Sequence, residues 1–239
     1  MKLALIGYGA MGRLVETQAE AAGNQVGIKL TSNEAEQDVD ELAAMLRRHD
    51  VAVDFSVGPG VLKNIEACAL AGVPLVEGTT GWKEHEDRAR EIVTEHDSAL
   101  VYGANFSIGV NVFYRIVAGA AKLFAGLEQY EAFIEEQHHS RKRDAPSGTA
   151  LKLKSVLAEA VKGEIPVAST RAGHIPGTHR VGFDSAADQI LLTHIARSRE
   201  GFAAGALLAA RWIVGRKGVF EFSEVIDQIL AEPPSGTRS

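Results

Sequence analysis

The chain reads Leu3-Ala4-Leu5-Ile6-Gly7-Tyr8-Gly9-Ala10-Met11-Gly12, an apolar run followed at once by three spaced glycines. Consecutive apolar residues are typical of a buried strand, and apolar residues from Met11 to Ala19 then recur at helical spacing. A strand, a glycine turn and a helix fit the dinucleotide-binding fingerprint, in which the glycines let the backbone approach a pyrophosphate. The helix amides and dipole would favour its phosphates. We predict that Gly7–Gly12 bind a dinucleotide; an ordinary turn is the alternative.

Strands and helices continue to alternate after this turn. This alternation predicts a parallel, doubly wound Rossmann-type sheet of the α/β class. The apolar periodicity predicts strands at Val26–Leu30, Val51–Phe55, Pro74–Val76 and Leu100–Tyr102, and helices at Val39–Leu46, Val61–Leu70 and Glu84–His96.

The pattern changes after Asn105, which indicates a second, mixed α+β domain. We predict a dinucleotide-binding domain over residues 1–106, completed by 212–239, and a substrate-binding and oligomerisation domain over residues 107–211. The last elements are expected to pack back on the first domain, and the tail Pro233–Ser239 has the composition of a disordered end. The elements predicted here are helices at about Gly109–Phe124, Gly148–Val161 and Phe202–Val214, strands at Tyr130–Glu135, His179–Phe183 and Gln189–Ala196, the last two paired antiparallel, a short extended run Phe220–Phe222, and a final helix capped by Ser223 and ending at Leu230.

Composition argues against several classes of partner. The chain has 25 basic and 31 acidic side chains, and neither sign forms a block that would suit nucleic acid or an anionic membrane. Met1–Ile6 is too short for a secretory signal, and the apolar run Ala203–Val214 is interrupted by Arg211, so no membrane segment is expected. The single cysteine, Cys68, suits a reducing cytoplasm.

The end of the second predicted strand bears on cofactor choice. An acid at this point usually holds the adenosine ribose. Here Leu30 is followed by Thr31 and Ser32, and the first carboxylate, Glu34, comes late. Hydroxyls and Lys29 could accept a 2′-phosphate, so we expect NADPH or NADH to bind, with NADPH favoured.

Two further segments lie where strands of this sheet should end. They are Gly78-Thr79-Thr80-Gly81 and Gly103-Ala104-Asn105-Phe106. Ligands bind at the carboxyl ends of parallel strands, so we expect both segments to line the nicotinamide side of the cofactor site. Either segment alone could be a simple turn.

A dense polar segment, Glu135–Thr149, follows a predicted strand in the second domain. It contains two imidazoles and three cations, and Ser147-Gly148-Thr149 at a helix start would form an anion pocket. A solvated loop is the alternative. We expect no metal, because the adjacent His138 and His139 should point apart and no third ligand has suitable spacing.

The run from His138 to Ala150 matches His-His-x-x-Lys-x-Asp-Ala-Pro-Ser-Gly-Thr-Ala and resembles the signature of 4-hydroxy-tetrahydrodipicolinate reductases. The resemblance extends to residues 53–56, 78–81, 104–111 and 171–177. It implies reduction of a cyclic dicarboxylate, with loss of water, to tetrahydrodipicolinate on the diaminopimelate route to lysine. It also implies a homotetramer.

The resemblance further implies residue roles. His138 is similar to the family's proton donor, Lys142 to its second proton-transfer residue, and His139 to a neighbouring substrate contact. Gly148 and Thr149, preceded by Ser147, match the residues that bind substrate carboxylates. The chemistry agrees, because hydride addition to a conjugated imine leaves an enamine that must gain a proton, a task that imidazole suits. Asp144, in the same loop, is expected to brace it rather than react.

The sequence departs from the family pattern at several points. Its glycine turn is shorter and lacks the usual arginine, Thr31 stands where an acid is common, and Ala204 stands where a polar residue is common. The segment between Thr149 and Arg171, a region that contributes to the tetramer in relatives, is also shorter.

Three rival hypotheses stay open. One is another small two-domain reductase acting on an amino-acid-derived imine or aldehyde. The second is a noncatalytic dinucleotide sensor that keeps the fold. The third is an interaction scaffold that needs no cofactor.

Overall fold

The computed structural model describes residues 1–32 and 37–232. The chain forms two compact units, Met1–Ile108 with Arg199–Ser239, and Gly109–Ser198. Glu34 and the tail Pro233–Ser239 lie outside the described residues, and so do the predictions made for them.

The first unit is built on a six-stranded sheet in which every neighbouring pair of strands is parallel. Elements are numbered in chain order across both units. Those of the first unit are β1 (Lys2–Ile6), α1 (Ala10–Ala21), β2 (Gln25–Leu30), α2 (Val39–Leu46), β3 (Val51–Asp54), α3 (Val61–Ala71), β4 (Leu75–Glu77), α4 (Glu86–Glu95), β5 (Ala99–Tyr102), α7 (Glu200–Ile213), β10 (Gly218–Glu221) and α8 (Phe222–Ala231). The strand order in the sheet is β10-β5-β4-β3-β1-β2.

The central strands are apolar on both faces, as a sheet covered by helices on both sides requires. Leu3 and Leu5 of β1 belong to one core cluster, whereas Ala4 and Ile6 belong to another. Alternate residues thus fill the two faces of the sheet, and the predicted doubly wound α/β class is confirmed.

The unit boundaries differ from the predicted domain boundaries, because α7 groups with the first unit rather than with Gly109–Ser198. Ala203 and Ala206 of α7 are fully buried in the first core. Gly205 allows this packing, since a Cβ there would lie 1.7 Å from the carbonyl oxygen of Phe106. The predicted cap of α8 was wrong: Ser223 lies within the helix, and Glu221 caps it through a capping box.

The second unit has a mixed four-stranded sheet in the order β7-β6-β8-β9. Strand β6 pairs parallel with β7 and antiparallel with β8, and the predicted antiparallel pairing of the last two strands is confirmed. Strand β7 was not predicted, because its mostly exposed residues lack an apolar alternation. The elements are α5 (Ile108–Phe124), β6 (Glu131–His138), α6 (Gly148–Ala158), β7 (Val167–Arg171), β8 (Thr178–Asp184) and β9 (Gln189–Ile195).

One face of this sheet forms the core of the second unit. Ile134 of β6 and Val181 of β8 are buried together with Phe113 of α5 and Leu153 of α6. None of the described helices has both the length and the apolarity needed to cross a membrane.

Candidate active site

Strand β6 places titratable side chains at the end of its buried face. Successive side chains of a strand point to opposite faces, so Ala132, Ile134, Glu136 and His138 share one face. Glu136 is 1% exposed and His138 is 8% exposed. The apolar half of this strand therefore anchors the core, and its last two inward positions present a carboxylate and an imidazole.

Glu136 has a partner on each carboxylate oxygen. Its Oε2 is paired with Nδ1 of His138, and its Oε1 accepts a hydrogen bond from Nη2 of Arg171 at 2.7 Å. Burial by itself would raise the pKa of Glu136, but hydrogen bonds from Arg171, Ser169 and His138 outweigh burial and lower the pKa to about 2. Glu136 is therefore ionised at neutral pH.

The orientation of the His138 ring follows from this pairing. Because Nδ1 faces the ionised Glu136, Nδ1 bears a proton and Nε2 is the ring atom that can exchange a proton with a ligand. Burial lowers the pKa of His138, whereas Glu136 opposes that shift. Gly177 leaves space beside the ring, since a Cβ there would lie 3.2 Å from Nε2.

Lys142 lies in the loop after β6 and pairs with Asp144, with 2.8 Å between Nζ and Oδ1. The hydrogen bond from Lys142 lowers the pKa of Asp144. Asp144 thus holds the Lys142 ammonium in place, and its expected role in bracing the loop stays a prediction. His139 begins the same loop, and its carbonyl accepts the backbone N–H of Lys142 at 3.1 Å.

Ser147-Gly148-Thr149 open helix α6. The Ser147 hydroxyl caps this helix by accepting the N–H of Ala150 at 3.2 Å, and it also contacts Nε2 of His179 at 3.1 Å. Nothing lies within 4 Å of a Cβ built on Gly148, so the helix start is open at that point. The start of a helix is a favourable place for an anion, and the Gly148 N–H donates to the Asp144 carboxylate here.

His179 of β8 adds a third group to this cluster. Its ring lies 5.1 Å from that of His138, and burial lowers its pKa to about 4. Ligand atoms of Glu136, His138 and His179 lie within 4.8 Å of one another, so strand pairing brings in a third potential ligand that spacing in the sequence did not indicate. Glu136 is already neutralised by Arg171, and we assign no metal to the cluster.

Glu136, Arg171 and His179 were given no role by sequence reasoning. The two-residue spacing of Glu136 and His138 in a strand was the available signal, because it places both on one face. Arg171 and His179 come from β7 and β8, and only strand pairing brings them to β6.

The glycine turn of the first unit matches what a pyrophosphate needs. Gly7 has a φ of +81°, and a Cβ there would lie 2.5 Å from the carbonyl oxygen of Phe55. A Cβ on Gly12 would lie 2.3 Å from the oxygen of Gly7, whereas nothing lies within 4 Å of one on Gly9. Gly7 and Gly12 therefore allow close packing, and Gly9 leaves open space at the start of α1, so these residues fit a bound dinucleotide.

Lys29 has a different environment from the one expected. Its ammonium pairs with Glu16 of α1 and lies over the ring of Tyr8, 4.9 Å from the centroid. The Tyr8 hydroxyl also donates to Glu16. Lys29 would have to leave Glu16 in order to meet a 2′-phosphate.

Two cavities adjoin the glycine turn, and Phe55 and Ser56 line both. The larger, of about 640 Å³, is lined by Gly7, Tyr8, Gly9, Thr31 and Ser32 among others. The smaller, of about 370 Å³, is lined by Met11, Gly78, Thr79 and Thr80 among others. Most of the predicted cofactor residues are thus brought together; Ala10 and Gly12 line neither cavity.

The segment Gly103–Phe106 does not line these two cavities. Phe106 is 1% exposed and packs on Phe222 with 4.6 Å between ring centroids. Asn105 folds back to accept the N–H of Ser107 at 2.9 Å. In this structure Phe106 belongs to the core, and cofactor contact by Gly103, Ala104, Asn105 and Phe106 stays a prediction.

A parallel sheet with a dinucleotide-type glycine turn, and a second unit with a buried carboxylate–imidazole pair, define the class of dinucleotide-dependent oxidoreductases. Residues 1–106 match the N-terminal family of dihydrodipicolinate reductases, and residues 109–226 match the C-terminal family. The chain belongs to the dihydrodipicolinate reductase family.

Individual relatives agree with this assignment. The chain is 40% identical to the 4-hydroxy-tetrahydrodipicolinate reductase of Christiangramia forsetii, over 96% of this chain and 99% of the relative. It is 36% identical to the enzyme of that name from Archaeoglobus fulgidus, over 95% and 100%. The dipicolinate-bound dihydrodipicolinate reductase from Paenisporosarcina sp. TG-14 has the same fold, with a TM-score of 0.74 and 19% identity over 94% of this chain and 99% of that one.

Replacing Glu136 by Gln tests the pairing in the second unit. The Glu136 carboxylate raises the pKa of His138, so Glu136→Gln should shift the His138 titration to lower pH. It should also lower the free energy of unfolding by about 1–3 kcal/mol, because buried partners lose a charged acceptor. NMR titration of the imidazole and denaturant unfolding measure the two effects.

Glu135→Gln is the matched control, since Glu135 is the partly exposed neighbour paired with Arg180 at 3.4 Å. It should leave the His138 titration in place. An unchanged His138 pKa in Glu136→Gln would contradict the pairing.

Proposed function

We propose that the protein reduces 4-hydroxy-tetrahydrodipicolinate to tetrahydrodipicolinate, with loss of water, in the diaminopimelate route to lysine. The observation that supports this most strongly is the oriented His138, held by Glu136 in the loop that also presents Lys142 and the start of α6. Family membership supports the same reaction.

The residues around the glycine turn would hold the cofactor. Gly7, Gly9 and the first turn of α1 would face its pyrophosphate, and Thr31 and Ser32 would face its adenosine ribose. When bound, the nicotinamide cofactor supplies the hydride.

His138 is assigned as the proton donor. Its Nε2 can deliver a proton to the substrate while Nδ1–H stays bonded to Glu136. The lowered pKa makes the protonated ring a stronger acid, and the fixed orientation directs the transfer. Lys142, steadied by Asp144, is the second proton-transfer group.

The substrate's two carboxylates need positive potential, which the start of α6 and the cations of the loop provide. We assign carboxylate binding to the first-turn amides at Gly148 and Thr149, and a neighbouring contact to His139. The Ser147 hydroxyl is already engaged with Ala150 and His179, so Ser147 contributes by fixing the start of this helix.

A sensor or scaffold would have no use for this arrangement. Burying the ionised Glu136 and orienting His138 costs free energy unless the pairing is complete, and neither rival function requires a proton donor. Another reductase substrate stays the nearest rival, and substrate turnover decides between them. A cytoplasmic setting stays a prediction from the single, buried Cys68.

The proton-transfer roles predict large losses of turnover. His138→Gln and Lys142→Ala should each lower kcat by about a hundredfold to ten-thousandfold, the usual effect of losing a general acid. The exposed His96→Gln and Lys162→Ala serve as matched controls and should keep wild-type kcat. Wild-type turnover in both active-site variants would refute the role assignment.

We propose that NADPH is used in preference to NADH, because Thr31 and Ser32 offer hydroxyls at the ribose end of the larger cavity. Lys63, which also lines this cavity, adds a positive charge. The predicted result is a higher kcat/KM with NADPH than with NADH, measured in parallel at saturating substrate. Equal or better turnover with NADH would contradict this preference.

We propose that the protein is a homotetramer assembled through the second unit. Leu191 and Ile195 of β9 share the face of the sheet opposite to the core, and they are 49% and 60% exposed. Sedimentation analysis should give four chains per particle, and Ile195→Asp should lower that mass. Leu230→Asp, at a similarly exposed leucine of the first unit, is the control; a monomeric wild type would exclude the tetramer.

A further inference from the structure

Two buried carboxyl groups lie side by side at the ends of adjacent strands in the first unit. Asp54 ends β3 and Glu77 ends β4, and the two are direct partners in the parallel pairing. Both are 0% exposed, and each carboxyl acts on the pKa of the other. The reaction mechanism uses neither residue.

The hydrogen bonds around the pair indicate where its proton lies. Asp54 accepts from the N–H of Ser56 through Oδ1 and from Nδ2 of Asn64 through Oδ2, both at 2.7 Å. Glu77 accepts the N–H of Thr79 through Oε1 at 2.6 Å, and its buried Oε2 has no donor among the described residues. Asp54 therefore suits the ionised form, and Glu77 Oε2 suits a hydroxyl that donates to Asp54.

The same hydrogen bonds fix two loops that line the cavities. Ser56 and Thr79 are held at their backbone N–H groups, and the Thr79 hydroxyl lies 3.1 Å from the Ser56 nitrogen. The Phe55–Ser56 peptide packs against Gly7, and a Cβ on Gly78 would lie 2.2 Å from the ring of Phe55. The carboxyl pair thus supports the two loops, at Ser56 and at Thr79, from the side opposite to the cavities and the glycine turn.

We propose that Asp54 and Glu77 share one proton and act as positioning residues for the cofactor, so that cofactor affinity depends on that proton. This rests on the proposed cofactor site at the glycine turn. With the proton present, both loops are fixed; without it, two adjacent anions repel each other behind the cavity walls.

The direction of the pH dependence follows from the surroundings. Burial raises the pKa of Asp54, and burial and the charge of Asp54 raise the pKa of Glu77 well above its usual range. Among the residues that the structure describes, Cys68 of α3 also faces the pair, and burial together with both carboxyls raises the pKa of its thiol. The pair therefore keeps its proton to a higher pH than a solvated carboxyl does, and it loses that proton as the pH rises further.

Cofactor titrations of the whole protein test the proposal without turnover. The dissociation constants of NADH and NADPH are measured by fluorescence at about pH 7 and about pH 9. Wild type should bind the cofactors about tenfold more weakly at the higher pH. This factor corresponds to a pKa of the carboxyl pair that is about one unit higher in the cofactor-bound protein than in the free protein. Glu20→Gln, at an exposed carboxyl of the same unit, should behave like wild type.

Glu77→Gln places an amide where the protonated acid lies, since its NH2 can donate to Asp54 and its oxygen can accept from Thr79. It should bind cofactor as wild type does at neutral pH and lose the pH dependence. Asp54→Asn replaces one acceptor oxygen of the Asp54 carboxylate by an NH2 donor. It should weaken cofactor binding about tenfold at both pH values. Thermal unfolding at the same pH values shows whether each variant is folded.

A wild-type pH dependence in Glu77→Gln would overturn the proposal, even if Asp54→Asn fails to fold. So would wild-type affinity in a folded Asp54→Asn. Absence of binding of either cofactor to wild type is a different outcome, because it would refute the cofactor site and the proposed function themselves.

Discussion

The chemistry of the second unit depends on one buried charge, the carboxylate of Glu136. An ionised carboxylate that is 1% exposed is tolerated only when donors meet its oxygens. Arg171 meets one oxygen and His138 the other, so the same group joins β6 to β7 and fixes the imidazole. If Arg171 were lost, His138 would face an incompletely compensated charge. If Glu136 were lost, the direction of the His138 Nε2 atom would no longer be fixed.

Each unit buries a carboxylate at the end of a strand, and the group that compensates its charge differs between the two units. In the second unit a guanidinium neutralises Glu136. In the first unit Asp54 meets another carboxyl, Glu77, and a proton takes the place of the cation. The first arrangement stays ionised over the neutral range, whereas the second depends on a proton that alkaline pH removes. Proton chemistry therefore belongs to one unit and loop positioning to the other.

Local pattern predicted much of the fold, because the elements that repeat apolar residues at strand or helix spacing form their own buried faces. The helix at Val39–Leu46 and the glycine turn are examples. Strand β7 was not predicted, because its side chains are mostly exposed and show no apolar alternation. The roles of His179 and Arg171 were not predicted, because the two residues reach the site only through the pairing of their strands with β6. The core position of Phe106 was not predicted either, because its partner Phe222 is distant in sequence. Local periodicity does not show which strands and side chains pair across long stretches of sequence.

The most direct test of the proposed reaction is turnover by the wild-type protein, followed as loss of nicotinamide absorbance with freshly generated 4-hydroxy-tetrahydrodipicolinate. The expected result is that oxidation of NADPH or NADH depends on the substrate and yields tetrahydrodipicolinate. No substrate-dependent oxidation of either cofactor, in protein that binds the cofactor, would contradict it and favour another substrate or a sensor.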